Sequence, residues 1–254
     1  MKYLPPRIWH LLAFATLIIS PVTRAADAKP IRVALYDDQG ATGKGIPRVT
    51  EILGKTGDIQ ITLFKAADLP GVLQDKDAVI FTGGSGSKQG NAIGEAGRAA
   101  VQHFVHEGGG YLGICGGAYL ACSRFSWGLG LLDAETVSSK WRRGAGQVQI
   151  EITPAGQHLT TLPAGIRDIR YDNGPIIKPA GRTDLAPYEP LAFFRTELAE
   201  HDTPPGAMVN TPAIVQGLFG KGHVIISSPH PEQTPGMDIL VERVVRSVAG
   251  HPAP

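Results

Sequence analysis

Apolar positions in the first half of the chain come in short continuous runs, separated by stretches of helical period. Ile31–Tyr36 (IRVALY), Ile59–Phe64 (IQITLF) and Asp77–Gly84 (DAVIFTGG) read as strands bounded by turn residues. Between the first two, IPRVTEILGKTG has the spacing of an amphipathic helix and ends on glycine. A second helical pattern, from about Asn91 to Glu107, leads into the apolar run GYLGIC. Uninterrupted apolar strands alternating with helices predict an α/β domain: a three-layer, flavodoxin-like sandwich with a mostly parallel central sheet.

The pattern changes in the second half. QVQIEIT alternates strictly between apolar and polar, as a strand with one face in water does. AIVQGLFGKGHVIISSPH reads as a hairpin entering the sheet. A last helix places Met237, Leu240, Val241, Val244 and Val248 on one face.

The first 28 residues stand apart. Lys2 and Arg7 precede the apolar run LLAFATLIIS, and small residues follow in VTRAADA, the composition of a secretory signal peptide. Cleavage after Ala25 or after Ala28 fits. The run is too short for a stable membrane anchor, and no later segment reaches the ~20 apolar residues of a spanning helix. Residues 29–254 are then expected as one periplasmic or secreted domain.

Formal net charge is +1, with Lys and Arg scattered, so the basic footprint of a nucleic-acid binder is missing. The one basic cluster, KWRRG at Lys140 to Gly144, reads as a solvated loop or as an anion contact. The chain has two cysteines. On a helix following Cys115, Cys122 would lie roughly 10 Å away, beyond the ~7 Å Cα separation of a disulfide. Cys122 is therefore expected as a small buried apolar residue.

Chemistry concentrates in GGGYLGICGGAYLACSRF, residues 108–125. A strand running into a helix through Gly-Ile-Cys-Gly-Gly fits a nucleophile elbow, where the turn strains the central residue and glycines clear its surroundings. A thiol at a helix N-terminus is favoured as thiolate, and the free N–H groups there can hold an oxyanion. FTGGSGS, Phe81 to Ser87, ends a strand in paired glycines able to donate a further N–H. SSPHPEQ, Ser227 to Gln233, supplies a base, His230, and an acid, Glu232, two residues on. Taken singly, each segment also fits a plain role: a structural cysteine, a Gly-Ser turn, a surface histidine. The glycine stretch DDQGATGKG lacks phosphate-loop spacing and reads as a turn near the site edge, able to touch a ligand. No histidine pair has metal-ligand spacing except His103 and His106, expected on the solvent face of a helix. Neither a metal nor a cofactor is predicted.

Taken together and in order, FTGGSGS, GYLGICGGAYLA and SSPHPEQ resemble the landmarks of the class I glutamine amidotransferase superfamily. GICGGAY with YDNGP at Tyr171 to Pro175 is most similar to the amino-terminal domain of biotin protein ligases. The resemblance implies Cys115 as nucleophile, His230 as base and Glu232 as orienting acid. It further implies an oxyanion hole from Gly116 with Gly84 or Gly83, and substrate contacts from Tyr119, Tyr171 and Asn173. Where glutaminases continue the elbow with a glutamine that helps hold substrate, this chain has Ala118-Tyr119. The expectation is an exported cysteine hydrolase or amidase acting on a small amide or acyl compound. The alternative is a non-catalytic domain that keeps the elbow as a ligand or partner pocket. Oligomeric state is left open.

Overall fold

The structure, a computed structural model, describes Met1 and residues 29–201 and 203–251. The expected signal peptide lies, Met1 apart, outside the described residues.

The expected elements form in order: β1 (Ile31–Tyr36), α1 (Gly45–Gly54), β2 (Ile59–Phe64), β3 (Ala78–Phe81), α2 (Gly86–His106), β4 (Gly110–Ile114) and α3 (Gly116–Ala121). There follow β5 (Ala134–Thr136), β6 (Ala145–Ile152), α4 (Pro154–Thr160), β7 (Ile166–Asp172), β8 (Ile177–Pro179), β9 (Glu189–Phe194), β10 (Pro212–Phe219), β11 (Gly222–Ser227) and α5 (Asp238–Val248). A nine-stranded sheet runs β2-β1-β3-β4-β11-β10-β9-β6-β7, and β5 pairs with β8 separately. The strands from β2 to β11 are mutually parallel, whereas β10, β9, β6 and β7 are added antiparallel.

The two periodicities explain this division. β3 and β4 are buried at every position, as strands covered on both faces must be, while β6 alternates buried and wetter residues. On one face, Val33, Leu35, Ile80 and Ile114 join α1 through Val49 and Leu53 and α5 through Leu240, Val241 and Val244. On the other, Ala34, Val79, Phe81 and Tyr111 join α2 through Val101 and Val105 and α3 through Ala118 and Leu120. Each such buried side chain contributes roughly 1.5–3 kcal/mol. Exposed ion pairs contribute ~0–1 kcal/mol each, so these apolar layers hold the sandwich.

Three local expectations need correction. α2 begins at Gly86 rather than near Asn91, because Ser85 caps it by accepting from Lys88 N–H at 3.3 Å, and it breaks at Gly94 (φ 67°). α3 ends at Ala121, so Cys122 follows the helix rather than lying on it; it is fully buried, and burial pushes its thiol up to about 12. The basic cluster is not uniformly solvated. Arg142 is exposed, but Arg143 is 2% exposed, pairs with Glu197 at 2.9 Å and lies over the Trp141 ring.

Candidate functional site

Parallel strands end along one edge of the sheet, and the turns into α1, α2 and α3 gather there. Cys115 sits between β4 and α3 with φ 51° and ψ −97°, a conformation that L-residues avoid and that a nucleophile elbow imposes. Close approach by other backbone makes the flanking glycines obligatory: a Cβ on Gly117 would lie 2.0 Å from the Phe81 carbonyl oxygen.

The expected oxyanion donors meet at this turn. A Cβ on Gly116 would lie 2.9–3.1 Å from the O, C and N atoms of Gly84, so the two backbones face each other directly. Gly84 bridges Ala41 across a short antiparallel contact. Its hydrogen bonds run from Thr42 N–H to Gly83 O (3.1 Å) and from Ser85 N–H to Gly40 O (2.8 Å), which leaves the Gly84 N–H out of the bridge. Gly83 serves differently, since a Cβ there would strike His230 Cε1 at 2.8 Å; its bareness makes room for the imidazole.

His230 and Glu232 follow β11, which pairs with β4, so adjacent strand ends bring them beside the thiol. His230 is 4% exposed and Glu232 is fully buried. His230 Nδ1 lies 2.8 Å from Glu232 Oε1, a contact that fixes Nδ1 as the protonated nitrogen and leaves Nε2 for the thiol. Burial opposes charge on His230, but hydrogen bonding to Cys115 and Glu232 outweighs it and raises the imidazole to about 10. The Cys115 thiol also donates to Asp172 O at 3.3 Å.

Asp172 and Asn173 line the cleft, as does Tyr119, whose hydroxyl donates to Asn173 O at 3.2 Å. Asn173 (φ 52°) clasps Gly144 twice, donating its N–H to Gly144 O (3.2 Å) and accepting Gly144 N–H on Oδ1 (3.1 Å). This clasp ties the YDNGP turn to the basic loop. Tyr171 departs from expectation as a substrate contact. Its ring is fully buried against Phe194 and its hydroxyl donates to Gly174 O at 2.8 Å, because strand alternation turns it into the core.

Gln233 was legible in SSPHPEQ but carried no assignment there. Its amide lies 3.0 Å from Glu232 Oε1 and from His230 Nδ1; with Nδ1 protonated, the amide donates to the carboxylate and steadies it. Lys44, Lys88, Arg142 and Trp127 also line the cleft, which has a volume of about 1090 Å³. Lys44 and Arg142 were signalled by the glycine turn and the basic loop, whereas Lys88 and Trp127 carried no sequence signal. Among the described residues no group of three His, Cys, Asp or Glu side chains is placed to hold a metal ion.

Known proteins are similar to this chain in sequence or in fold. Residues 31–143 match the family model described as biotin-protein ligase, N terminal. An uncharacterized protein of Chlamydia muridarum (strain MoPn / Nigg) is 25% identical over 171 residues, 66% of this chain and 64% of that protein, so the match spans less than two thirds of the relative's length. Among solved structures, a glutamine amidotransferase superposes with TM-score 0.58 at 22% identity, covering 86% of this chain and 98% of that one. PurLQS from Thermotoga maritima gives 0.63 at 16% identity, covering 87% and 99%. A protein described as ThuA-like from Bacteroides uniformis gives 0.63 at 17%, covering 90% and 95%. At these identities the structures establish the fold. Residues 31–143 are similar to the biotin-protein ligase N-terminal family, and the chain as a whole has the class I glutamine amidotransferase-like fold.

Proposed function

We propose that the protein is a cysteine-dependent hydrolase or amidase in which Cys115 is the nucleophile, His230 the general base and Glu232 its orienting acid. The observation that carries this reading is the buried His230, held by Glu232 at 2.8 Å and raised by interaction with Cys115. In the reaction, the Cys115 proton passes to His230 Nε2 and the thiolate attacks the substrate carbonyl carbon. The negative charge that develops on the carbonyl oxygen is received by the Gly116 and Gly84 N–H groups. Collapse breaks the carbon–nitrogen or carbon–oxygen bond, and His230 returns its proton to the leaving group. Water then attacks the thioester, giving one proton to His230 and releasing the acid, and that proton restores the thiol. Glu232 keeps Nδ1–H engaged throughout, so Nε2 always faces the reaction.

Small amide and thioester probes, followed by intact mass, test the assignment. An acyl adduct on Cys115 is expected in wild type, with acylation slowed on the order of 10²–10⁴-fold in His230→Ala. Acylation at equal rates in wild type and His230→Ala would sink it. We further propose that residues 1–28 export the protein, which N-terminal sequencing of material from the periplasm or medium checks.

One observation favours a second reading, a non-catalytic ligand-binding domain. Cys115 is 6% exposed and its thiol is held on Asp172 O, while Tyr119 and Asn173, which line the same cleft, are joined by a hydrogen bond. On that reading the probes leave no adduct, while ligands entering the cleft still raise the melting temperature.

A further inference from the structure

The chain as a whole is balanced, with 24 Lys and Arg against 23 Asp and Glu, but the cleft over Cys115 is not. Five cations line it, Lys44, Arg48, Lys88, Arg142 and Arg170, against one carboxylate, Asp172. Two of the five are already answered. Arg48 pairs with Glu51 and with Asp238 at 3.4 Å, and Arg170 pairs with Asp172 at 3.3 Å. Lys44, Lys88 and Arg142 have no carboxylate within ion-pair distance among the described residues.

These three come from separate segments that the tertiary fold brings to one cavity: the glycine turn before α1, the first turn of α2, and the loop clasped by Asn173. Lys44 is itself the N-cap residue of α1, makes no side-chain capping bond, and is followed by no acid in the first turn; the first turn of α2 likewise holds no acid. Both helices therefore present uncompensated positive ends to the same space. An ordinary solvated surface mixes the signs; a concave wall with one sign focuses its field on what enters. Opposite chemistry comes from Tyr119 and Trp127, which line the cleft and are linked through Phe125, stacked on Trp127 at 4.3 Å.

We propose that this cleft takes a substrate or ligand bearing a carboxylate or phosphate group, held by Lys44, Lys88 and Arg142 while its apolar part lies against Tyr119 and Trp127. The proposal rests on reading the Cys115 cleft as the binding site. It does not need the thiol to turn substrate over. Arg142 can fork two N–H groups onto one anion, whereas the lysines act as point charges, so the arginine sets orientation and the lysines attraction.

Iodoacetate and iodoacetamide are nearly equal in size and differ in charge, so their relative rates at Cys115 read the charge preference of the cleft directly. Rates are measured by mass spectrometry of the Cys115 peptide, in the native protein and in the urea-denatured chain as reference. The expected native preference for iodoacetate is on the order of tenfold above that reference. It should shrink at about 0.5 M salt and fall most of the way to the reference in the Lys44→Gln/Lys88→Gln/Arg142→Gln variant. All three positions are exposed, and the variant retains His230, so what is lost belongs to the three cations. A parallel melting series uses inorganic phosphate, glutarate and the neutral glutaramide. Saturable stabilisation by phosphate or glutarate that the variant loses supports the proposal, and the better of the two names the group. A native ratio equal to the reference overturns it. If the thiol is closed to both reagents, the proposal is overturned by melting shifts that are absent, or equal in wild type and variant. Retained anion preference together with no acylation by the amide and thioester probes would instead defeat the hydrolase reading alone.

Discussion

The turns after β1, β3 and β4 and the segments from Lys140 onward contribute to the cleft in different ways. The turns after β1, β3 and β4 supply the close backbone, namely the strained Cys115 turn, the facing Gly84 and Gly116, and glycines so tightly approached that a methyl group has no room, with Lys44 and Lys88 at their rim. The segments from Lys140 onward supply side chains: the basic loop, the Asp172–Asn173 turn, and His230 and Glu232 after β11. The comparison teaches that the reactive geometry is set by close backbone packing, which tolerates no substitution. Substrate access and charge are set by side chains, which can change without loss of fold.

The strongest way to break this comparison is a methyl group at the elbow. Gly117→Ala puts a Cβ 2.0 Å from the Phe81 carbonyl oxygen, and neither strand nor helix can retreat without opening the core. Urea unfolding should show a loss on the order of 4 kcal/mol or no folded protein. A loss under about 1 kcal/mol would mean that the elbow is not rigid.

A smaller effect comes from the base. His230 is raised above its ordinary value, so the stability it contributes is fully present below pH ~6.5 and is lost as pH rises through about 10. Between pH 7 and 9 wild-type stability should therefore fall, by about 2 kcal/mol. Glu232→Gln removes one of the interactions that raise His230, so the same titration should be flatter. An equal slope in both proteins breaks the assignment of Glu232 as the partner that holds the imidazole charge.

The smallest effect sharpens the comparison. Tyr119→Phe removes the hydroxyl contact to Asn173 O, at a cost of about 1 kcal/mol or less. Fold and melting should barely change, while the thiol becomes easier to reach. Iodoacetamide labelling of Cys115 is expected to speed up a few-fold. Unchanged labelling would show that the Asp172 backbone alone closes the thiol.

Much of the site was legible because its signals are local. A strand, a glycine-flanked cysteine and a helix follow one another along the chain, and the His-x-Glu spacing places His230 and Glu232 two residues apart. Tyr171 shows the limit: YDNGP marks the right turn, but which of its side chains faces the cleft depends on strand register, and alternation turned Tyr171 inward. Arg142 and Arg143 show it again, adjacent residues of which one lines the cleft and the other is buried against Glu197.

By itself the sequence determined the alternation of strands and helices, a mostly parallel sheet, and the glycine-flanked strand-to-helix turn at Cys115, because each rests on periodicity or on steric demands among neighbours in the chain. Only the tertiary structure decided that Lys44, Lys88 and Arg142 share one cavity, that Asp172 O holds the thiol in the cleft that Tyr119 lines, and that Gln233 steadies Glu232. Those relations join residues far apart in sequence or turn on side-chain direction, and both are set when the packed layers choose which strand ends meet.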